Sequence, residues 1–290
     1  MSINLPLISV NGVLDAAISP LDRGFAYGDG VFETCRYQRG SIPLWSYHRE
    51  RLLQSAERLQ IPVDESLLMQ YLDSLLAQIA QSGIQYAVVK IILTRGVGGR
   101  GYRLPDSVKP TVCVGIFPGN PLQTDQYRKG VAVRVCNLRL AQSPALAGMK
   151  HLNRLEHILA RAEWQNEFAE GLLLDAQGRV IEATVSNLFA VKNNQLYTPD
   201  LSTSGVAGIM RRTILEKLAP ELGIACHQVD MGLDFLQAAD EIFLCNSVYG
   251  IWPVNHLVDD CQTTVSSQIN YSEGQVTRAL QKQLAYLLGE

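Results

Sequence analysis

The sequence lacks the signatures of several chemistries. Its six cysteines (Cys35, Cys113, Cys136, Cys226, Cys245 and Cys261) form no C-x-x-C pair, which excludes a zinc ribbon or a dithiol redox motif. Most lie in apolar, strand-like runs and are expected to be buried, reduced thiols, as in a cytoplasmic protein. The histidines at 48, 151, 157, 227 and 256 show no H-E-x-x-H spacing, so no catalytic metal is expected. There is no G-x-S-x-G nucleophile elbow, which removes the common hydrolase arrangement. Charged residues make up only 18%, the net charge is -3, and no long basic run occurs. Nucleic acid is therefore not an expected partner. The first thirteen residues lack a basic stretch followed by a long apolar one, so neither a signal peptide nor a membrane span is read there.

What remains is a soluble, core-forming chain. It has 290 residues, 47% of them hydrophobic, enough for two ordinary domains. Asn11-Gly12 reads as a hairpin turn. Trp45 to Gln60 reads as a helix with Ser46 as N-cap and Leu52, Leu53, Ala56 and Leu59 on one face. A second amphipathic helix is expected from Glu65 to Ser82, stopped by Gly83. The β-branched runs Tyr86 to Thr94 and Thr111 to Phe117 read as buried strands. Pro118-Gly119-Asn120-Pro121 suits neither helix nor strand, so residues 118–125 read as a linker between a smaller domain, 1–117, and a larger one, 126–290. In the larger domain we expect a strand from Val131 to Leu138 and a helix from Asn153 to Phe168. A helix after Gly208, a strand from Glu241 to Cys245 and a last helix from Ser272 to Leu288 complete it. Separate helices mixed with strand runs indicate two α+β domains rather than a repeating βαβ fold.

Gly96-Val97-Gly98-Gly99-Arg100-Gly101 matches the dinucleotide fingerprint G-x-G-x-x-G, but that motif needs a helix to begin there. Tyr102-Arg103-Leu104-Pro105 follows instead, so a loop carrying Arg100 is the better reading. Other segments hold more chemistry. Lys150 stands between Gly148 and an expected helix, and a lysine made nucleophilic by its surroundings forms Schiff bases. Glu182 closes a short strand, where a carboxylate can keep a pyridine nitrogen protonated. Gly205-Val206-Ala207-Gly208 opens a helix whose free N–H groups can face a phosphate. Asn246-Ser247 at a strand end and Arg51 on the first long helix can add contacts to the same anion.

Taken in order, these segments resemble a known family. Asp22-Arg23-Gly24, Gly28-Asp29-Gly30-Val31-Phe32-Glu33, His48-Arg49-Glu50-Arg51-Leu52, Lys150, Glu182 with Ser186-Asn187-Leu188-Phe189, and Gly208-Ile209-Met210-Arg211 are similar to the motifs of fold-type IV pyridoxal 5′-phosphate (PLP) enzymes. These enzymes are the branched-chain and D-amino-acid aminotransferases and aminodeoxychorismate lyase. The resemblance runs from about residue 9 to 254. It implies a two-domain α+β enzyme of the D-amino-acid aminotransferase-like fold, a homodimer, with PLP as cofactor and a small-molecule substrate. By the same resemblance Lys150 is the Schiff-base lysine and Glu182 partners the pyridine nitrogen. Arg51, the backbone of Ile209 and Met210, and Asn246-Ser247 hold the phosphate, and Ser186 and Asn187 lie in a cofactor-facing turn.

Within that family two segments look lyase-like, Thr94 to Tyr102 and Met149 to Glu156. The Gly-Gly-Asn-Tyr type sequence of branched-chain aminotransferases is absent after Lys150. D-amino-acid aminotransferases carry a tyrosine where Phe32 stands and a histidine where Tyr102 stands, and only Arg100 of that carboxylate-binding trio matches. The resemblance thus implies a lyase of folate biosynthesis that turns 4-amino-4-deoxychorismate into 4-aminobenzoate and pyruvate, with Phe32, Arg100 and Tyr102 at the substrate. A D-amino-acid or branched-chain aminotransferase is the alternative.

Overall fold

Alternating apolar residues build the first sheet. In the computed structural model, which describes residues 4–259, 267–272 and 274–290, strands β1 (Leu7–Val10) and β2 (Val13–Leu14) form a hairpin. Its two turn residues, Asn11 and Gly12, have φ of 50° and 80°, the left-handed pair that a type I′ turn demands. After helix α1 (Arg23–Tyr27) come β3 (Gly30–Gln38), helices α2 (Trp45–Arg58) and α3 (Glu65–Gln81), and strands β4 (Tyr86–Thr94) and β5 (Thr111–Pro118). The five strands pair antiparallel in the order β2-β1-β5-β4-β3. Val31, Cys35 and Tyr37 of β3 pack with Val89, Ile91 and Ile116 of the sheet and with Leu52, Ala56, Leu68, Leu72 and Ile79 of α2 and α3.

Two cap expectations have different outcomes. Asp64 caps α3 by accepting from the Leu67 N–H at 3.0 Å, as short acceptor side chains do. Ser46 does not cap α2; the helix enters through Leu44 in the left-handed region, φ 59°, without a side-chain cap.

The second unit contains α4 (Asp125–Lys129), β6 (Val131–Leu140), α5 (Leu155–Arg161), β7 (Glu170–Asp175), β8 (Val180–Ala183), β9 (Asn187–Lys192) and β10 (Gln195–Pro199). Then follow α6 (Ile209–Thr213), a π-helical turn (Ile214–Leu218), α7 (Ala219–Glu221), β11 (Cys226–Val229), α8 (Leu233–Gln237), β12 (Glu241–Asn246), β13 (Gly250–Asp259), β14 (Ser267–Asn270) and α9 (Gln275–Leu288). Its mixed sheet runs β11-β10-β9-β12-β13-β6-β7-β8, with β14 on β13. β7 is buried along its whole length. Leu172 and Leu174 feed one core with Val133 and Leu244, and Leu173 feeds another with Trp164 and Ile181.

The expected helix from Asn153 to Phe168 is cut to the seven residues of α5. Glu163 leaves the helical path to accept from the N–H groups of Asn137 and Leu138 at 2.8 and 2.9 Å. Those donors lie where the β6–β7 register shifts, so the carboxylate satisfies groups that the ladder leaves unpaired.

Contacts divide the chain between Pro121 and Leu122, inside the stretch read as a linker. The five residues Met149–Asn153 group with the first unit, not with the rest of 126–290. The backbone explains this. Phe32 N–H donates to Lys150 O at 2.9 Å and Leu152 N–H to Gly30 O at 3.0 Å, so the lysine segment lies along the start of β3. No described helix is long and apolar enough to cross a membrane. Five cysteines are described and no disulfide joins any two of them; Cys261 lies outside the described residues.

Candidate active site

In the first unit, alternation along β3 puts Glu33 on the same buried face as Val31 and Cys35. A carboxylate there needs charged or donor partners, and α2 supplies two of them one turn apart. Arg51 binds it at two points, Nε to Oε1 at 2.8 Å and Nη2 to Oε2 at 2.6 Å, and His48 Nδ1 reaches Oε2 at 2.7 Å. Burial by itself would raise the Glu33 carboxyl, yet Arg51 and His48 bring it down to about 2. Burial pushes the His48 imidazole below its ordinary value, so Nδ1–H donates to Glu33, and the buried Nε2 has no hydrogen-bond partner among the described residues. The motif carrying Arg51 was legible in the sequence, but its pairing with Glu33 was not.

Lys150, held by β3 through its carbonyl, sets its Nζ 4.4 Å from the centroid of the Phe32 ring. Cation and aromatic face attract at that distance. The structure thus brings Lys150 and Phe32 together.

Arg100 is exposed on the glycine-rich loop, and no helix follows it, as the sequence argued. The loop is anchored. Val97 bridges Asp22, Arg23 Nη1 donates to Gly101 O at 2.9 Å, and Gly101 N–H donates to Tyr27 Oη at 3.2 Å. Tyr102, 84% exposed, sets its ring edge-on to Tyr27. Arg23 also joins Arg95 on Asp29 at 2.8 and 2.7 Å. Burial opposes ionisation of Asp29, but these two arginines hold its carboxyl below the usual range.

In the second unit, Glu182, next to last in β8, is almost wholly buried. Its Oε1 accepts from His157 Nε2 at 2.9 Å and its Oε2 from the Val206 N–H at 2.9 Å. His157, on α5, escaped the sequence reading; its place seven residues after Lys150 was the available signal. Asn187 donates to Val206 O at 2.9 Å and accepts from the Gly208 N–H at 3.1 Å. The structure therefore brings Glu182, Asn187 and the glycine loop together.

α6 opens at Gly208 without a side-chain cap. The N–H groups of Ile209 and Met210 fall in its first turn, where helices offer no internal acceptor. A Cβ on Gly208 would lie 2.0 Å from Asn187 Oδ1, so only glycine lets the backbone take this path. Asn246 uses its Oδ1 to accept from the Val248 and Tyr249 N–H groups at 2.9 and 3.0 Å, and its Nδ2 reaches Val185 O at 3.3 Å. That carboxamide shapes the turn presenting Ser247. Ser186 is buried and donates to Glu170 at 2.8 Å; Glu170 was not singled out from the sequence.

Taken unit by unit, the residues have the chemistry that PLP needs: in the second a buried carboxylate suits a ring nitrogen and a glycine-opened backbone suits a phosphate, and in the first a lysine against an aromatic face suits an aldehyde.

A family model described as amino-transferase class IV matches residues 30–257. An aminodeoxychorismate lyase of Vibrio harveyi is 38% identical over 277 residues, covering 95% of this chain and 98% of the relative. A putative branched-chain-amino-acid aminotransferase of Methanocaldococcus jannaschii is 33% identical over 274 residues, covering 92% and 90%. Among solved structures, the 4-amino-4-deoxychorismate lyase of Pseudomonas aeruginosa superposes with a TM-score of 0.86 at 41% identity, covering 97% of this chain and 98% of that one.

Proposed function

Because the chain belongs to the class IV aminotransferase family and is a PLP-dependent enzyme of it, we propose that it is a lyase that converts 4-amino-4-deoxychorismate to 4-aminobenzoate and pyruvate. The observation that carries the choice within the family is the partner of Lys150. Its Nζ faces the hydrocarbon ring of Phe32 at 4.4 Å, which offers no hydroxyl to a substrate carboxylate. The likeness to the two lyases supports the same choice.

When bound, PLP supplies an electron sink for the carbanion formed as a proton leaves carbon. Arg51 and the backbone N–H groups of Ile209 and Met210, with Asn246 and Ser247, bind its phosphate. Ser186 and Asn187 form the turn facing it. Glu182 Oε holds the proton on the pyridine nitrogen, with His157 and the Val206 N–H fixing that carboxylate. Lys150 Nζ would hold the aldehyde of PLP and, as a free amine, would be the base for the ring proton beside the substrate nitrogen. The enolpyruvyl group would leave as the enolate, which takes up a proton to become pyruvate, while the ring becomes aromatic. Arg100 binds a substrate carboxylate with its planar fork, with Phe32 and Tyr102 as neighbouring substrate contacts. Arg100 also suits a D-amino-acid transaminase, which is the second reading. The test is pyruvate release from 4-amino-4-deoxychorismate by the PLP-loaded protein.

A further inference from the structure

Glu170 begins β7 on the side of Leu172 and Leu174, and it is 1% exposed. No ion pair includes it among the described residues. Only neutral donors reach it. Thr184 Oγ1 and the Val185 N–H, at 3.2 Å, meet Oε2. Ser186 Oγ, at 2.8 Å, and Tyr249 Oη, at 3.4 Å, meet Oε1. Such a carboxylate is costly to bury, and burial raises its carboxyl above the ordinary range. All but one of its partners belong to the three residues that lead into Asn187.

We propose that Glu170 is a positioning residue that acts on the cofactor through Ser186, by holding the Ser186 hydroxyl proton inward so that the oxygen turns only lone pairs toward the site. The role rests on the reading of Ser186 as cofactor-facing. The two carboxylate oxygens differ in what they tolerate. Oε2 faces a backbone N–H, which can only donate. Oε1 faces two hydroxyls, which can turn. In Glu170→Gln the amide oxygen must therefore take the Oε2 position and the amide nitrogen the Oε1 position. Ser186 then has to accept from the amide instead of donating to the carboxylate, and its proton turns to Tyr249, which it also meets, or to the site. The fold keeps its hydrogen bonds, while the Ser186 oxygen has one lone pair fewer to offer the site. Ser186→Ala removes the same acceptor by another route.

The test titrates apo-protein with PLP, followed by absorbance, in wild type, Glu170→Gln, Ser186→Ala and the double variant. The double-mutant cycle isolates action through Ser186 from a general structural effect. Each single variant is expected to weaken PLP binding about tenfold, the scale of one lost hydrogen bond, and the double variant no more than about twofold beyond Ser186→Ala. Thr184→Val, which removes a bond on the Oε2 side and leaves Ser186 in place, is expected to bind PLP as wild type does. Multiplicative losses in the double variant overturn the proposal. So does a Glu170→Gln protein that melts earlier but binds PLP normally, or a Thr184→Val loss equal to that of Ser186→Ala. If Glu170→Gln does not fold, the comparison of Thr184→Val with Ser186→Ala decides alone. Wild-type protein that binds no PLP overturns the functional reading itself, and this role with it.

Discussion

Glu33 grips Arg51 at two points, Nε–Oε1 at 2.8 Å and Nη2–Oε2 at 2.6 Å, inside the core face of a sheet. The pair makes stability depend on pH. Glu33 ionises near 4.5 when unfolded and at about 2 when folded. Its contribution is complete above the unfolded value and is lost as pH falls from about 4.5 to about 2. The amount is on the order of 3 kcal/mol. Glu33→Gln should lose roughly 3–5 kcal/mol near neutrality, since it strands a buried guanidinium, and should then vary less with acid. Urea unfolding across this range checks it; parallel pH profiles for the two proteins would contradict the assignment.

Glu182→Gln should retain most PLP affinity and lose turnover about a hundredfold, since a neutral amide holds the pyridine proton poorly. The amide still reaches His157 and the Val206 N–H, so the fold is kept. Comparing PLP binding with kcat separates the two effects. A variant with near-normal kcat would remove Glu182 from the chemistry.

Arg100→Ala should raise KM about tenfold or more and leave PLP affinity nearly unchanged, as expected when a bidentate carboxylate contact is lost. Tyr27→Phe, which loosens the Gly101 anchor, should raise KM by a smaller factor. Weakened PLP binding with an unaltered KM would move Arg100 to the cofactor instead.

The strands and long helices were legible because their signals are local. β-Branched alternation marked β4 and β5, and Asn11-Gly12 marked a hairpin. The Lys150 segment was misassigned because its defining bonds run to Gly30 and Phe32, more than a hundred residues away. The tail of the expected helix after it was lost to Glu163, which serves donors on β6. The helix after Gly208 widens into a π-turn ahead of Pro220, whose missing N–H and bulky ring disfavour the regular bond to Glu216. The chemical residues were found by motif. Of their supports, Glu33 and His48 stood in the motifs without a role, and His157 and Glu170 were not singled out. Each support is an ordinary polar residue in sequence and gains meaning only from burial against a partner.

α5 exposes Leu155, Ile158 and Leu159 at 73, 61 and 61%, three apolar residues on one helix face. We expect this face to be covered by a second copy of the chain in a homodimer. Ile158→Arg should shift the protein from dimer toward monomer in sedimentation velocity. A wild type that is monomeric at high concentration would contradict the expectation.

The reaction itself is the most direct test. One PLP-loaded preparation is given 4-amino-4-deoxychorismate, generated in place from chorismate and glutamine by a synthase, with no 2-oxo acid added. The account predicts 4-aminobenzoate and pyruvate in equal amounts through many turnovers, because the amine stays on the product and no amino acceptor is consumed. The same preparation is then offered D-alanine or a branched-chain amino acid with 2-oxoglutarate. Efficient amino exchange there, with no 4-aminobenzoate formed in the first assay, would contradict the lyase assignment.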